Sequence, residues 1–272
     1  MTTTQFTDRT RAVEQKGLEI RDVSLRFGGV HALDGVSFDV KPGELLSIIG
    51  PNGAGKSSLL NCISGFYRPQ QGGIYLDGQD LTRLKPHQIA GRGIGRVFQN
   101  IELFSHLTVL ENVMLGRHHA LRPKWWADAL YFAPRQLRKE LEHRRVAEEI
   151  IDFVEIEKYR QMPVGQLSYG LQKRVELARA LAMEPAVLLL DEPVGGMNQE
   201  ETEDMVRYIL DVKEQLGTTV VLIEHHMGVV VDISDRVVVI DFGRKVAEGP
   251  PREIAQHPEV LRVYLGKGGD PE

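Results

Sequence analysis

The residues with the clearest chemical meaning form one short run, Gly50–Ser57, which reads GPNGAGKS. This run matches the pattern G-x-x-x-x-G-K-[ST] in full. In such a loop, backbone N–H groups and the following helix N-terminus cradle phosphate, the lysine (Lys56) reaches the β- and γ-phosphates, and the hydroxyl of Ser57 ligates Mg²⁺. The sequence therefore predicts a nucleoside triphosphate site. The residues expected to contact the nucleotide are Gly50, Pro51, Asn52, Gly53, Ala54, Gly55, Lys56, Ser57 and Ser58.

A pair of carboxylates follows a second apolar run. Val187–Leu190 has the length and composition of a buried strand, and Asp191 and Glu192 come directly after it. One carboxylate at such a strand end can hold Mg²⁺ through its water shell, and an adjacent one can polarise the attacking water. Alone, the pair would be typical of a solvated loop. Together with the phosphate loop, it predicts hydrolysis of the triphosphate.

Two other classes of nucleotide-binding protein lack support in the sequence. No Asn is followed by Lys, so the N-K-x-D guanine reader of GTPases is missing. Asp241-Phe242-Gly243 matches a protein-kinase motif, but no His-Arg-Asp occurs and the phosphate loop is of a different kind. We interpret this tripeptide as a hairpin turn.

The elements that must position these residues alternate between strand and helix patterns. Leu45–Ile49 is a continuous apolar run, typical of a strand buried on both faces, and a helix pattern follows the phosphate loop. Segments of alternating polarity near the N-terminus predict antiparallel strands, with Asp77-Gly78 as a hairpin turn. The predicted fold class is α/β: a P-loop ATPase core with a parallel sheet and an N-terminal antiparallel β layer.

The middle of the chain changes to a helical pattern, from about Thr108 to Arg160. We therefore predict a helical subdomain, at about residues 100–183, inserted in the P-loop core. Five apolar residues within it predict one buried stripe on a helix. They are Leu137, Leu141, Val146, Ile150 and Val154.

The stretch Arg122–Arg145 combines aromatic and basic residues. It has seven Lys or Arg against three Asp or Glu, and it contains Trp125, Trp126, Tyr131 and Phe132. We interpret it as a docking surface or a local core, with a membrane-surface patch as the alternative.

Composition and charge exclude several broad classes. The chain has 272 residues, with 33 Lys plus Arg against 38 Asp plus Glu, a formal net charge of −5. Its 42% hydrophobic and 26% charged residues are typical of a globular protein. No apolar run approaches the ~18–20 residues that cross a bilayer, and the polar N-terminus lacks a signal-peptide core. We expect a chain that is neither exported nor membrane-spanning, without a nucleic-acid partner, whose single cysteine, Cys62, is buried.

Four further motifs follow the phosphate loop: VFQN at Val97–Asn100, LSYG at Leu167–Gly170, LLLDEP at Leu188–Pro193 and LIEHH at Leu222–His226. In order and spacing this set resembles the ATP-binding subunits of ABC transporters, over about residues 18–265. LSYG is the most diagnostic motif, because it separates this family from other P-loop ATPases. The resemblance implies an ABC ATP-binding cassette that binds ATP and Mg²⁺ and hydrolyses ATP as a dimer of cassettes.

The resemblance also implies roles in catalysis for individual residues. Glu192 matches the catalytic carboxylate, and His225 matches the histidine that touches the γ-phosphate. Gln99 matches the glutamine that senses the γ-phosphate and Mg²⁺. With Asp191 and Ser57, Gln99 completes the expected metal set.

Three more residues are implied in nucleotide binding. Ser168 and Gly170 match the signature residues, which meet ATP bound to the opposite subunit. Read without the family, Ser168 would be a helix N-cap. Phe27 matches the aromatic residue that stacks on adenine.

The chain departs from the commonest pattern of the family. Tyr169 and Leu171 replace a glycine and a glutamine of the usual LSGGQ motif. Asn198 stands where an aspartate is common, which removes a negative charge. Phe27 stands where tyrosine is common.

These departures, together with the sequences RFGG, GFYRP and HPEVLRVYLG, resemble the branch of branched-chain amino acid importers, in which related systems import urea, short amides or aromatic acids. That branch implies membrane permease subunits as partners, a second cassette (itself or a paralogue), a periplasmic or extracellular substrate-binding protein acting indirectly, and a location on the cytoplasmic face of the cell membrane. The alternatives are a cassette of an exporter, such as a lipid exporter, and a non-transport ABC ATPase.

The predicted domain organisation has three parts. Residues 1–17 form a disordered N-terminal segment, residues 18–250 form the ABC ATP-binding domain, and residues 251–272 form a C-terminal helix and tail.

Overall fold

The structure is a computed structural model that describes residues 16–117 and 134–265. The predictions for the first fifteen residues, for the C-terminal tail beyond residue 265 and for the aromatic residues of Arg122–Arg145 lie outside these residues.

The described strands form two sheets, and the α/β fold class is confirmed. The strands are β1 (Leu18–Phe27), β2 (Val30–Val40), β3 (Leu45–Ile49), β4 (Gln71–Leu76), β5 (Gln79–Asp80), β6 (Ile94–Val97), β7 (Val187–Asp191), β8 (Thr219–Ile223), β9 (Arg236–Asp241) and β10 (Arg244–Gly249). The first sheet is antiparallel, in the order β2-β1-β4-β5. The second has the order β10-β9-β3-β8-β7-β6 and is parallel except for the hairpin β9–β10.

The parallel register brings the chemically interesting residues to one edge. Ile48 pairs with Ile223, Leu190 pairs with Val97, and Asp191 pairs with Ile223. The carboxyl ends of β3, β6, β7 and β8 therefore meet at the same edge of the sheet. Ligands bind at this edge in open α/β sheets, because the loops that leave the strands converge there.

The helices cover both faces of the parallel sheet. They are α1 (Lys56–Ile63), α2 (Pro86–Ala90), α3 (Val109–Gly116), α4 (Pro134–Phe153), α5 (Tyr169–Leu181), α6 (Gln199–Leu216), α7 (Met227–Ile233), α8 (Pro251–Ile254) and α9 (Pro258–Leu265). Helices α3, α4 and α5 lie between β6 and β7 in the chain, which is where the sequence predicts helices.

Side chains that alternate along each buried strand serve two separate cores. On β7, Val187 and Leu189 pack with α1 and the antiparallel sheet, whereas Leu188 and Leu190 pack with α3, α4, α5 and α6. All four side chains are fully buried. Because successive side chains of a strand point to opposite faces, one continuous apolar run supplies both cores.

The predicted apolar stripe is wrong at Leu141, whose side chain is 58% exposed. Val146, Ile150 and Val154 are buried as predicted, whereas the side chain of Leu137 lies outside the described part. Leu141 precedes Val146 by five residues, which turns it ~140° around a helix of 3.6 residues per turn. The buried face is completed instead by residues next to the stripe, Ala147 and Ile151.

Both predicted hairpin turns are confirmed. Asp77 and Gly78 join β4 to β5, and Phe242 and Gly243 join β9 to β10. Cys62 is buried in α1, and burial raises the pKa of its thiol to about 12. A helix with the length and hydropathy of a bilayer span does not occur in residues 16–117 and 134–265.

Candidate active site

The phosphate loop joins β3 to α1, as predicted, and two of its glycines cannot be replaced without strain. Gly50 has φ +151°, and a Cβ there would lie 2.0 Å from the carbonyl oxygen of Ile240. Gly55 has φ +107°, and a Cβ there would lie 2.4 Å from the carbonyl oxygen of Ala32. The loop therefore follows a path, close to two other backbone segments, that only glycine allows at these points.

Lys56 lies over this loop. It is buried, and its Nζ donates to the carbonyl oxygens of Gly50 at 2.6 Å and Pro51 at 2.9 Å. Burial lowers the pKa of this ammonium group, and the charges of Glu192 and Asp191 oppose that shift. The loop therefore holds the ammonium group of Lys56 at the N-terminal end of α1. Among the hydrogen bonds of the described residues, this group has no carboxylate partner.

A cavity of about 650 Å³ opens above the loop. Its lining comes from the phosphate loop, from the start of β2 and from the ends of β6, β7 and β8. The lining residues are Val30, His31, Ala32, Gly50, Pro51, Asn52, Gly53, Gly55, Lys56, Ser57, Ser58, Gln99, Glu192 and His225. The structure therefore brings the phosphate loop together with all three predicted catalytic residues.

Glu192 is the centre of this group. Its side chain is 16% exposed, one carboxylate oxygen accepts a 2.9 Å hydrogen bond from Nε2 of Gln99, and the other lies 3.6 Å from Nδ1 of His225. Its φ is +50°, an uncommon value for a residue with a Cβ. This conformation occurs at the residue that directly follows β7, and the carboxylate lies in the cavity lining. Backbone strain of this kind is found at functional sites as well as in turns.

Asp191 lies behind the cavity and not in its lining. Its carboxylate is buried and pairs with the guanidinium of Arg96 at 3.1 Å, and its Oδ1 has no hydrogen-bond partner among the described residues. Burial raises the pKa of Asp191, and the charge of Arg96 opposes the shift. A buried oxygen with a free lone pair next to the phosphate loop fits a role toward hydrated Mg²⁺.

Besides Asp191, four predicted residues are absent from the cavity lining. Ala54 is buried within the phosphate loop itself, and Phe27, Ser168 and Gly170 lie on other elements. Phe27 is half-exposed at the end of β1, where its ring packs edge-on against Tyr67 at a centroid distance of 5.1 Å. It pairs across the turn with Val30, which does line the cavity. Ser168 and Gly170 lie at the start of α5, outside the lining.

The start of α5 has a structural explanation of its own. The side chain of Ser168 is the N-cap and accepts a hydrogen bond from the N–H of Leu171 at 3.4 Å. A Cβ on Gly170 would lie 2.3 Å from Oε1 of Glu201 on α6. Asn198 also caps a helix, because its Oδ1 accepts a hydrogen bond from the N–H of Glu201 at 2.9 Å.

The sequence reasoning missed two groups at the site. His31 lines the cavity from the start of β2, and nothing in its local sequence marks it. Arg96 lies within the short strand β6, and its charge inside an apolar run was a usable signal for a buried partner.

Comparison with known proteins agrees with this geometry. Residues 33–195 match the family model of the ABC transporter, and residues 244–270 match the model of the branched-chain amino acid ATP-binding cassette transporter. The chain is 40% identical to the high-affinity branched-chain amino acid transport ATP-binding protein BraF of Pseudomonas aeruginosa, over 92% of this chain and 98% of BraF. It is 37% identical to LivG, the protein of the same description from Escherichia coli, over 94% of this chain and all of LivG.

A solved structure shows the same fold. A nucleotide-free ATP-binding cassette from an ABC transporter superposes with a TM-score of 0.80 at 31% identity, covering 92% of this chain and 99% of that cassette. The chain belongs to the ABC transporter family, as one of its ATP-binding subunits. It is an ATPase subunit that binds ATP.

Proposed function

We propose that this ATPase subunit powers the import of branched-chain amino acids or closely related small molecules through membrane permease subunits. The ATPase part of this proposal rests on one observation. Glu192 lies beside Gln99 and His225 in the lining of the cavity above the phosphate loop. The substrate class is supported by the match at residues 244–270 and by the printed descriptions of BraF and LivG. The same findings favour an importer over the exporter and non-transport alternatives.

In the proposed mechanism the phosphates of ATP lie over the loop. Lys56 neutralises charge on the β- and γ-phosphates, and the backbone N–H groups of the loop hold the remaining oxygens. When bound, Mg²⁺ supplies the charge that stabilises the transferring phosphoryl group, and Ser57, Gln99 and the water-linked Asp191 would hold it. Phe27 closes the adenine end of the site by stacking.

Glu192 is the proposed general base. It accepts the proton of the attacking water, since its carboxylate borders the cavity and is aimed there by its backbone conformation. Gln99 and His225 flank its two oxygens and orient them. With ATP bound, His225 would contact the γ-phosphate.

The proposed site is completed by a second cassette. At the start of α5, Ser168 is exposed and Gly170 is backed by α6. Neither residue lines the cavity of its own subunit, although a helix N-terminus suits an anion. In a dimer, the start of α5 in one subunit would cover the cavity of the other subunit. This arrangement would use both the helix N-terminus and its position outside the cavity of its own subunit. The dimer would act on the permeases at the cytoplasmic face of the membrane, with a substrate-binding protein on the opposite side.

Reconstitution tests this function. The chain would be purified with the permease subunits and substrate-binding protein proposed as its partners, and placed in proteoliposomes. Accumulation of radiolabelled leucine that requires ATP and an intact Glu192 is the expected result. ATP hydrolysis stimulated by the binding protein together with an amide or aromatic acid, but by no branched-chain amino acid, would exclude branched-chain amino acids and leave the related small molecules as the substrate class. Export of a lipid would contradict the direction of transport.

A further inference from the structure

One face of α5 is turned toward the segment Phe98–Glu102, which carries Gln99. The residues on that face are Lys173, Glu176 and Arg179, spaced three apart. Residues three apart on a helix are neighbours on its surface, so these side chains form one row. Every one of them makes a hydrogen bond to the backbone of the segment.

Lys173 holds the beginning of the segment. Its side chain is 1% exposed, and its Nζ donates to the carbonyl oxygens of Phe98 at 3.1 Å and Gln99 at 2.6 Å. The same Nζ lies 3.3 Å from Oε2 of Glu176. The ammonium group therefore donates to two backbone carbonyl oxygens and one carboxylate oxygen.

Glu176 holds the end of the segment. Its side chain is also 1% exposed, and its Oε1 accepts a 2.8 Å hydrogen bond from the N–H of Glu102. Burial raises the pKa of Glu176, while this N–H and the charge of Lys173 oppose the shift. Arg179 donates to the carbonyl oxygen of Glu102, so the last residue of the segment is held through both its backbone groups.

The other side of the segment faces the active site. The amide of Gln99 donates to Glu192 at 2.9 Å, while the carbonyl of the same residue is tied to Lys173. A buried charged pair has a desolvation cost that two apolar side chains would not have. Here both charged groups are hydrogen-bonded to the backbone of the segment that carries Gln99.

We propose that Lys173 and Glu176 are positioning residues, which fix the backbone of Phe98–Glu102 and thereby set where the amide of Gln99 meets the γ-phosphate side of the site. The pair links the helix that begins at Ser168 to the ATP site of the same subunit. This inference rests on the proposed role of Gln99.

The first variant is Lys173→Met, which keeps the length of the side chain and removes its donors. We expect a fall in kcat of about 10- to 100-fold, the size of effect that misplacing a reacting group can have. ADP affinity should stay within about twofold, because the phosphate loop is intact. Hydrogen exchange of the peptide that covers residues 98–104 should be faster than in the wild type.

A double-mutant cycle separates positioning from a general structural effect. Gln99→Ala should itself lower kcat, and adding Lys173→Met to it should lower kcat further by less than about twofold, because the positioned group has gone. If the two effects multiply in full, Lys173 does not act through Gln99 and the inference fails. If Gln99→Ala turns over like the wild type, the role of Gln99 fails and the inference fails with it.

The matched control is Arg117→Met. Arg117 is also a buried cation of the helical layer, and it donates to the carbonyl of Ala182 at 2.8 Å and to Glu184 at 2.7 Å, away from Gln99. This variant should leave kcat and the exchange of residues 98–104 unchanged. Equal losses in both variants would refute the inference.

A second variant covers the case in which Lys173→Met does not fold. Lys173→Met with Glu176→Gln removes both buried charges and leaves an amide oxygen for the N–H of Glu102, so no buried charge is left unpaired. Slow turnover with faster exchange of residues 98–104 supports the proposal. Wild-type turnover in this variant overturns it.

Discussion

The ion pair between Arg96 and Asp191 allows the loss of stability in a variant to be predicted with a magnitude. The two side chains are 8% and 5% exposed, and NH2 of Arg96 lies 3.1 Å from Oδ2 of Asp191. The guanidinium also donates to Oδ1 of Asn61 at 2.8 Å and to the hydroxyl of Ser64 at 2.9 Å. Arg96 is therefore the main charge that balances the carboxylate at the end of β7.

The substitution Arg96→Met removes all three contacts and keeps an unbranched apolar side chain. Removing one partner of a buried pair costs about 3–5 kcal/mol. Burial already raises the pKa of Asp191, so this carboxyl can take up a proton and limit the penalty to about 3 kcal/mol. For a domain of this size, that loss lowers Tm by roughly 6–12 °C.

Thermal unfolding followed by far-UV circular dichroism measures this change. The control is Arg244→Met, which breaks an arginine–carboxylate pair with Asp34 in which the arginine side chain is 71% exposed. Water screens that pair, so its loss should shift Tm far less than the loss of Arg96. Equal shifts in the two variants would refute the argument from burial.

Bound nucleotide adds a second comparison for the same variant. If Asp191 holds the water shell of Mg²⁺, then Mg²⁺ with ADP places a cation beside the carboxylate that has lost Arg96. The stabilisation by Mg²⁺–ADP should then be larger in Arg96→Met than in the wild type. An equal or smaller stabilisation would contradict the proposed role of Asp191.

Three further predictions concern the nucleotide, the interior and the dimer. Phe27→Ala should weaken ATP binding by roughly 1–3 kcal/mol and tripolyphosphate binding little, because stacking involves only the base; equal losses in calorimetric titrations would count against stacking. Burial raises the pKa of Glu224 above 4.5, so the folded protein keeps this proton to higher pH than the unfolded chain does, and stability is lost as pH rises. Glu224→Gln cannot ionise and should therefore gain stability relative to the wild type as the pH rises above the ordinary range of a glutamate. Urea titrations measure this gain, and an identical pH dependence in the two proteins would exclude the effect. Lys56→Ala and Ser168→Arg should each be nearly inactive alone, and mixing them should restore ATP-driven dimerisation and some phosphate release; a wild-type homodimer without such rescue would contradict the shared site.

Local sequence patterns predicted the parts of the site that depend on neighbouring residues. The phosphate loop, the strand ends that carry Asp191 and Glu192, and the N-cap at Ser168 all follow from short-range geometry, and the structure places each as predicted. The roles of these residues remain predictions.

The contacts that join distant residues could not be predicted in this way. Arg96 and Asp191 are 95 positions apart, and Lys173 and Gln99 are 74 positions apart. Both contacts depend on which strands and helices become neighbours, and a single sequence does not specify that at the level of side chains. Leu141 is exposed for another reason, because its spacing of five residues from Val146 takes it off the helix face that spacings of four define.

Phosphate release by Glu192→Gln at saturating ATP tests the central claim most directly. The amide keeps the shape of the carboxylate but cannot take the proton of the attacking water, so turnover should fall at least ~10²-fold. ATP should still bind, and dimers should accumulate in size-exclusion chromatography with ATP. Glu200→Gln, on the exposed first turn of α6, is the control and should turn over like the wild type. Wild-type turnover in Glu192→Gln would contradict the assignment of this carboxylate as the general base.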